Sequence, residues 1–480
     1  MYSLLFLAVA SLVLSVVLTP IVRVVSERIG LVDRPDSVRK IHETPVPRVG
    51  GIAVASAFVL SYVFWWLTPL HGSLAIQRSL PLVWKLAPAV ALVFLVGLLD
   101  DIFHINAGWR FAVQIVAASL AYLAGVQVHG FGGAEFSHWW WTLPATVLWL
   151  VACSNAINLI DGLDGLAAGL SLVASGSMLL AAALQHDALL AFAIVPLVGC
   201  LVGFLRYNFN PASVFLGDCG SLFIGFLLGC YGVLWSQKAA TVLGMTAPLI
   251  ALAIPLVDTS LSVVRRFLRR QPIFSADRGH IHHRLLELGL TPRRAALLLY
   301  AAGALAAMFS LFVANNQLEI PVVLLFGVAT WVGIQRLGYI EFGIAGRLIR
   351  QGSFRGLLNS QIALEGFQAR LIAAQTPSEC WRVIETVYRD FGFCGVEMCF
   401  DGQIFASADP RAHGAHRKDC HWRIAIPLLS TDYVALTRDF ETDKAQNVVP
   451  ELVNLIRNTL SERYSAPTTK PFARVAAVGD

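Results

Sequence analysis

The chain has 480 residues, of which 56% are hydrophobic and only 14% charged, with a formal net charge of +5. A soluble domain carries about a quarter charged residues, so the composition excludes an ordinary soluble protein and points to a membrane protein. The cations gather in particular loops without an interleaved aromatic platform, which argues against a nucleic-acid partner.

A bilayer core about 30 Å thick needs about 20 predominantly apolar residues per helical span. Such stretches recur about eleven times, over residues 3–22, 50–68, 83–99, 111–128, 141–160, 166–184, 189–205, 219–236, 243–264, 295–314 and 319–339. The first lacks the basic start and small-residue cleavage site of a secretion signal and reads as a retained span. The loop after it carries Arg23, Arg28, Arg34, Arg39, Lys40 and Arg48, and the loop after the ninth span carries Arg265, Arg266, Arg269, Arg270, Arg278, Arg284, Arg293 and Arg294. Even-numbered loops are poor in cations, and Trp139, Trp140 and Trp141 form an aromatic belt after the fourth span. Lys and Arg in short loops favour the cytoplasmic side, so the N-terminus is expected outside and the C-terminus inside. Cys153, Cys200, Cys219 and Cys230 lie in or near spans and Cys380, Cys394, Cys399 and Cys420 in the tail, a pattern that suits reduced thiols.

Parity sorts the polar clusters as well. Arg39, Lys40, His42 and Arg48 lie in the first loop; Asp100 and Asp101 follow span three in "GLLDD"; Asn155, Asn158, Asp161 and Asp164 lie in "NAINLIDGLDGLAAGL" after span five. "RYNFNPASVFLGDCGS", with Asn208, Phe215 and Asp218, follows span seven, and "DRGHIHHR", with His280, His282 and His283, follows span nine. All of these fall in odd-numbered loops, on one face of the membrane. Each has a plainer reading: solvated acids at a helix end, amides as interhelical glue, Asp218 as a helix cap, basic residues that only enforce topology. The histidines lack the spacing and further ligands of a zinc site. Together, however, carboxylates that can hold Mg²⁺ and cations that can neutralise phosphate oxygens suit phosphoryl transfer, which is mainly positioning and charge stabilisation.

Five ordered motifs, "DRPDSVRKIHETPVPRVGGIA", "GLLDD", "NAINLIDGLDGLAAG", "NFNPASVFLGDCGS" and "DRGHIHHR", make roughly residues 1–340 resemble the polyprenyl-phosphate N-acetylhexosamine-1-phosphate transferases, especially the bacterial undecaprenyl-phosphate branch. The resemblance implies transfer of an N-acetylhexosamine-1-phosphate from a UDP-activated 2-acetamido sugar to undecaprenyl phosphate, with release of UMP and dependence on Mg²⁺ or Mn²⁺. It implies the first step of a cell-surface polysaccharide or O-antigen pathway in a bacterial inner membrane. By motif position it makes Asp218 the metal ligand and puts Asp100, also a metal ligand, with Asp101 in the catalytic centre around the lipid phosphate. Asp161 and Asp164 fall on the nucleotide and metal side, and Asn208 and Phe215 around the uridine. His280, His282 and His283 fall on donor phosphates or sugar, and Lys40, His42 and Arg48 on substrate phosphates; Asn155 and Asn158 are counted with the substrate-binding residues. Whether an aspartate activates the lipid phosphate or attacks as a nucleophile stays open. "LLDDIFHI" has only two acids, one carboxylate fewer than the longer family pattern.

The expected architecture is therefore an all-α polytopic membrane protein of about eleven transmembrane helices, residues 1–340, followed by a small cytoplasmic α+β domain over 350–466 and a disordered tail over 467–480. In that domain, residues 359–393 have helical periodicity, "CGVEMCFDGQIFASA" reads as a hairpin around Asp401-Gly402, "HWRIAIPLL" and "TDYVALTRDF" as strands and "VPELVNLIRNTLSERY" as a helix, an order weakly similar to GAF-like modules. His413, His416, Cys420 and His421 read as solvated loop residues rather than a metal site. A homodimer or a downstream glycosyltransferase partner fits this plan. Two other classes share parts of it: a secondary transporter, which should show related halves and a midplane site, and a membrane-anchored sensor working through its tail.

Overall fold

The computed structural model describes residues 2–33, 46–68, 74–131, 134–135, 138–238, 245–268, 279–313, 319–336, 356–391, 393–400, 402–407, 421–428, 432–439 and 449–465. Lys40, His42, His413, His416, Cys420 and the tail from 467 onward lie outside these residues. The chain divides into two compact units, one comprising Met1–Val264 and Ile273–Leu337, the other Arg265–Pro272 and Gly338–Asp480.

The first unit is mainly helical: α1 (Tyr2–Ile29), α2 (Gly50–Leu67), α3 (Leu74–Phe103), α4 (Ala107–Leu123), α5 (Trp139–Ile160), α6 (Leu166–Leu184), α7 (Ala188–Asn208), α8 (Gly217–Lys238), α9 (Thr246–Ala251), α10 (Ala253–Leu268), α11 (Ile281–Glu287), α12 (Pro292–Val313) and α13 (Glu319–Arg336), with two short antiparallel pairs, β1 (Val32–Asp33) with β2 (Val46–Pro47) and β3 (Gly130–Phe131) with β4 (Ala134–Glu135). Among the described residues, eight helices are long and apolar enough to cross a membrane: α1, α2, the Leu82–Phe103 part of α3, α5, α6, α7, α8 and α12. The other three expected spans differ in form. The stretch at 111–128 is the shorter α4, which stops before Gly125 at φ 105°, and that at 319–339 holds the short apolar helix Ile320–Gly333 of α13. The stretch at 243–264 is split into α9 and α10, because Pro255 has no N–H to donate to the Ala251 carbonyl one turn earlier.

Helix α8 is the centre of this unit. Leu222, Phe223, Ile224, Phe226, Leu228, Tyr231 and Trp235 are all buried, and α2, α3, α5 and α6 pack around it. Close approach is bought by small residues: a Cβ at Gly97 of α3 would lie 2.6 Å from the Asp218 carbonyl. With no water in a bilayer core, every freed backbone group must find a partner inside the protein. Two prolines inside helices illustrate this. Pro20 leaves the Val16 carbonyl without its helical donor, and the Tyr207 hydroxyl donates to it at 3.0 Å. Pro196 does the same to Phe192, whose carbonyl accepts from the Tyr62 hydroxyl at 3.1 Å.

The second unit contains α14 (Gly356–Ala373), α15 (Pro377–Val387), β5 (Gly395–Phe400), β6 (Gln403–Ala406), β7 (His421–Pro427), β8 (Tyr433–Asp439) and α16 (Val449–Ser465). The expected helical run breaks at Thr376, which caps α15 in a reciprocal box with Glu379 just before Pro377. β5 and β6 form the expected hairpin, and the antiparallel sheet runs in the order β6-β5-β8-β7. Period-two alternation buries Val396 and Met398 with Ile426, Val434 and Leu436 against Phe367, Leu371, Trp381, Leu452 and Ile456. On the opposite face Glu397 accepts from Arg423 at 2.8 Å and from the Tyr433 hydroxyl at 2.5 Å, which raises the Tyr433 pKa. Cys380, Cys394 and Cys399, like Cys153, Cys200, Cys219 and Cys230 in the helical unit, are in no disulfide.

Candidate active site

The polar clusters meet at one end of the helical unit, because α3, α5 and α7 arrive there by their C-termini while α2, α4, α6 and α8 leave from there by their N-termini. Asp100 and Asp101 occupy the last turn of α3, inside the helix rather than beyond it. They look in different directions. Asp101, whose side chain is 0% exposed, accepts from the Asp218 and Cys219 backbone N–H groups at 2.9 Å each, and Arg48 stands 3.4 Å away. A carboxylate on the first N–H groups of α8 meets the positive end of that helix, so Asp101 locks α3 onto α8. Gly217, at φ 75°, makes this joint possible; a Cβ there would meet the Arg48 carbonyl at 1.9 Å. The 46–51 segment completes it, with Phe215 N–H donating to Pro47 and Gly50 and Gly51 N–H to Phe215 and Leu216.

Asp100 and Asp218 converge instead. One guanidinium nitrogen, Arg110 Nη1 at the start of α4, bonds Asp100 Oδ2 and, at 2.8 Å, Asp218 Oδ2. Asn158 donates to Asp218 Oδ1 at 2.9 Å and to Ser221 Oγ at 3.0 Å. Arg110 was not singled out from the sequence; as a lone arginine ten residues past Asp100, it has no motif of its own. Two carboxylates aimed at one cationic nitrogen form a donor set that suits a hard divalent cation, which binds through one or two carboxylates and completes its shell with water and substrate phosphate. Among the described residues no group of three or more His, Cys, Asp or Glu could hold a metal. The fit is thus to a cation shared with substrate, not to an all-protein cage.

The turn between α5 and α6 adds further acids. Burial, and the negative charges of Asp218, Asp101 and Asp164, raise the Asp161 pKa well above the carboxylate range, against the lowering influence of Arg48. Asp164 turns to the next loop, accepting from Asn210 Nδ2 at 2.9 Å and Ala212 N–H at 3.0 Å. Asn208 is buried and ties that loop together, its Nδ2 donating to the Val214 carbonyl at 2.9 Å. Phe215 contributes the backbone bonds to the 46–51 segment described above. Asn155 donates its amide to Gln114 at 2.5 Å, joining α5 to α4.

The histidines stand beside this turn. A Cβ at Gly162 would lie 2.7 Å from His282 Nε2, so only glycine admits the ring there. His282 is buried with neither ring nitrogen hydrogen-bonded among the described residues. Burial and the neighbouring His283 lower its pKa to about 3, so it is neutral at physiological pH. His280 stacks on it with ring centroids 5.7 Å apart and binds Asp258 of α10 through Nδ1 at 2.7 Å. Asp258 was also missed in the sequence, although an acid within an apolar stretch is costly enough to be a signal.

Fold and site together define a polytopic membrane protein with a cluster of carboxylates, amides and cations at one end of its helices. Residues 83–236, which carry Asp100, Arg110, Asn158 and Asp218, match the family "Glycosyl transferase family 4". The chain is 32% identical over 322 residues to a probable undecaprenyl-phosphate N-acetylglucosaminyl 1-phosphate transferase of Bacillus subtilis strain 168, covering 66% of this chain and 87% of the relative. It is 32% identical over 302 residues to the undecaprenyl-phosphate alpha-N-acetylglucosaminyl 1-phosphate transferase of Escherichia coli K12, covering 59% of this chain and 77% of that protein. Against the decaprenyl-phosphate N-acetylglucosaminephosphotransferase of Mycobacterium tuberculosis H37Rv it is 32% identical, covering 66% of this chain and 85% of the relative. The chain belongs to the polyprenyl-phosphate N-acetylhexosamine-1-phosphate transferase family.

Proposed function

We propose that the protein transfers an N-acetylhexosamine-1-phosphate from a UDP-sugar to undecaprenyl phosphate at the cytoplasmic face of a bacterial inner membrane, as the first step of a cell-surface polysaccharide or O-antigen pathway. The convergence of Asp100 and Asp218 on Arg110, with Asn158 alongside, carries this reading. In the reaction a lipid-phosphate oxygen attacks the sugar-bearing phosphorus, its bond to the bridging oxygen breaks, and UMP leaves with that oxygen. Arg110 and Arg48 stand where they can neutralise phosphate oxygens, and Asn158 fixes the Asp218 carboxylate. Mg²⁺ or Mn²⁺, held by Asp218 and Asp100, would act as a Lewis acid on the phosphates when bound. A site at the ends of membrane helices lets a water-soluble donor meet an acceptor whose hydrocarbon tail stays in lipid. N-acetylglucosamine is the first sugar to test, since the relatives' names carry it.

The test is to incubate membranes containing the protein with undecaprenyl phosphate and a panel of UDP-2-acetamido sugars, with and without chelator, and to score UMP. Release with one sugar, lost on chelation and in Asp218→Asn, is expected. No UMP from any sugar would overturn the reading.

A further inference from the structure

Asp258 is 1% exposed, and both of its carboxylate oxygens are engaged on the segment that carries the histidines. Oδ2 meets His280 Nδ1 at 2.7 Å, and Oδ1 accepts the Ile281 backbone N–H at 2.7 Å. A buried carboxylate is an acceptor only, so the imidazole nitrogen facing it must carry a proton. Nδ1 of His280 is therefore committed, and Nε2 is the ring's remaining position. A second proton on Nε2 makes an imidazolium whose counter-charge is already in place, and phosphate oxygens, which only accept, require such an N–H. The other titratable rings beside His280 are His282 and His283.

We propose that Asp258 is a positioning residue of the transfer site: it holds the proton on His280 Nδ1 and seats the start of α11, so that His280 Nε2 is the atom presented to the diphosphate of a nucleotide-sugar donor. This rests on the reading above that the histidine segment meets the donor. Nothing in the chemistry requires Asp258 to touch substrate. Its effect passes through His280, as a carboxylate fixes the tautomer of a histidine that acts on another partner.

Asp258→Asn is nearly isosteric and separates this role from bulk packing. If the amide oxygen keeps the Ile281 N–H, the amide nitrogen donates to His280 Nδ1 and leaves a neutral ring, whose Nε2–H meets phosphate without the positive charge that Asp258 balances in the imidazolium. The first measurement is the ¹⁵N spectrum of histidine-labelled protein, with the His280 signals assigned as those lost in His280→Gln. A proton on Nδ1 in the wild type and a bare Nδ1 in Asp258→Asn are expected. The second is kcat/KM for the UDP-sugar in a double-mutant cycle, with thermal midpoints recorded alongside. Asp258→Asn should lower kcat/KM by about 10- to 100-fold, and should cost nothing further in a His280→Gln background. Additive losses, or wild-type kcat/KM in Asp258→Asn, would overturn the proposal. If the wild type released no UMP from any sugar, the assigned activity would fail, and the spectrum would still decide the Asp258–His280 relation. If Asp258→Asn lost its fold, the wild-type spectrum would decide alone, since His280 protonated only on Nε2 contradicts it.

Discussion

Asp101→Asn should cost stability first and activity only as a consequence. The wild-type carboxylate accepts two backbone N–H groups of α8 at 2.9 Å each from a fully buried position. Asparagine keeps one acceptor oxygen and turns an NH₂ group toward the other N–H, which leaves a buried donor unsatisfied at about 1–3 kcal/mol. It also removes a negative charge from a helix N-terminus, at about 0.3–1 kcal/mol and up to about 2 when partly buried. The sum is about 1–5 kcal/mol, and at about 2 °C per kcal/mol for a large unit the unfolding midpoint in detergent should fall by about 3–10 °C. Asp100→Asn is the control, because that carboxylate binds a side chain, Arg110, and no backbone group of α8. It should lower UMP release far more than it lowers the midpoint. Thermal unfolding followed by a thiol-reactive dye or by light scattering, run beside the transfer assay, separates the two aspartates. An Asp101→Asn protein with the wild-type midpoint and abolished transfer would refute the holding role and return Asp101 to the chemistry.

Asp218→Asn should cut transfer by about 10²–10³-fold in folded protein because it removes a carboxylate that would hold the divalent cation at the phosphates, and unchanged turnover with unchanged Mg²⁺ dependence would remove it from the site. Tyr207→Phe and Tyr62→Phe each leave a proline-freed carbonyl without its donor and should cost about 0.6–1.7 kcal/mol, read as lowered midpoints with transfer preserved. His282 has a folded pKa of about 3 against 6.5 unfolded; the unfolded chain binds the extra proton between those values, so stability from this group is complete above pH 6.5 and is lost as pH falls toward 3. Midpoints measured from pH 7 down to 4 should therefore fall more steeply in the wild type than in His282→Gln, and parallel curves would contradict its buried, neutral state. Cysteine labelling near Lys40, Gly108, Arg278 and Ser353 should report all four on the cytoplasmic side, and truncation after residue 352 should leave UMP release measurable; exterior labelling at two positions, or complete loss of transfer in a truncated protein that still folds, would count against this topology and division of labour.

The membrane setting, the polar clusters and their shared face were legible in the linear sequence, because hydropathy and cation parity are local properties read against the thickness of a bilayer. The family was legible too, since its motifs are short contiguous runs. Helix interruptions were not: a single apolar stretch at 243–264 hides the break before Pro255, and the run through Thr376 and Pro377 hides a capping box, because hydrophobic periodicity is blind to which N–H groups exist. Nor could spacing separate two adjacent aspartates. Neighbours on a helix point about 100° apart, and only packing decides that Asp101 meets the N–H groups of residues 117 and 118 positions away while Asp100 turns to Arg110. Arg110 itself reaches Asp218 across 108 residues and Asn158 reaches it across 60. Asp258, alone in its apolar stretch, acquires a role only when α10 brings it to His280. Local sequence thus determined which groups lie at this end of the helices, but how they pair depends on contacts between distant segments, made when the small residues of α2, α3 and α8 let the backbones close together.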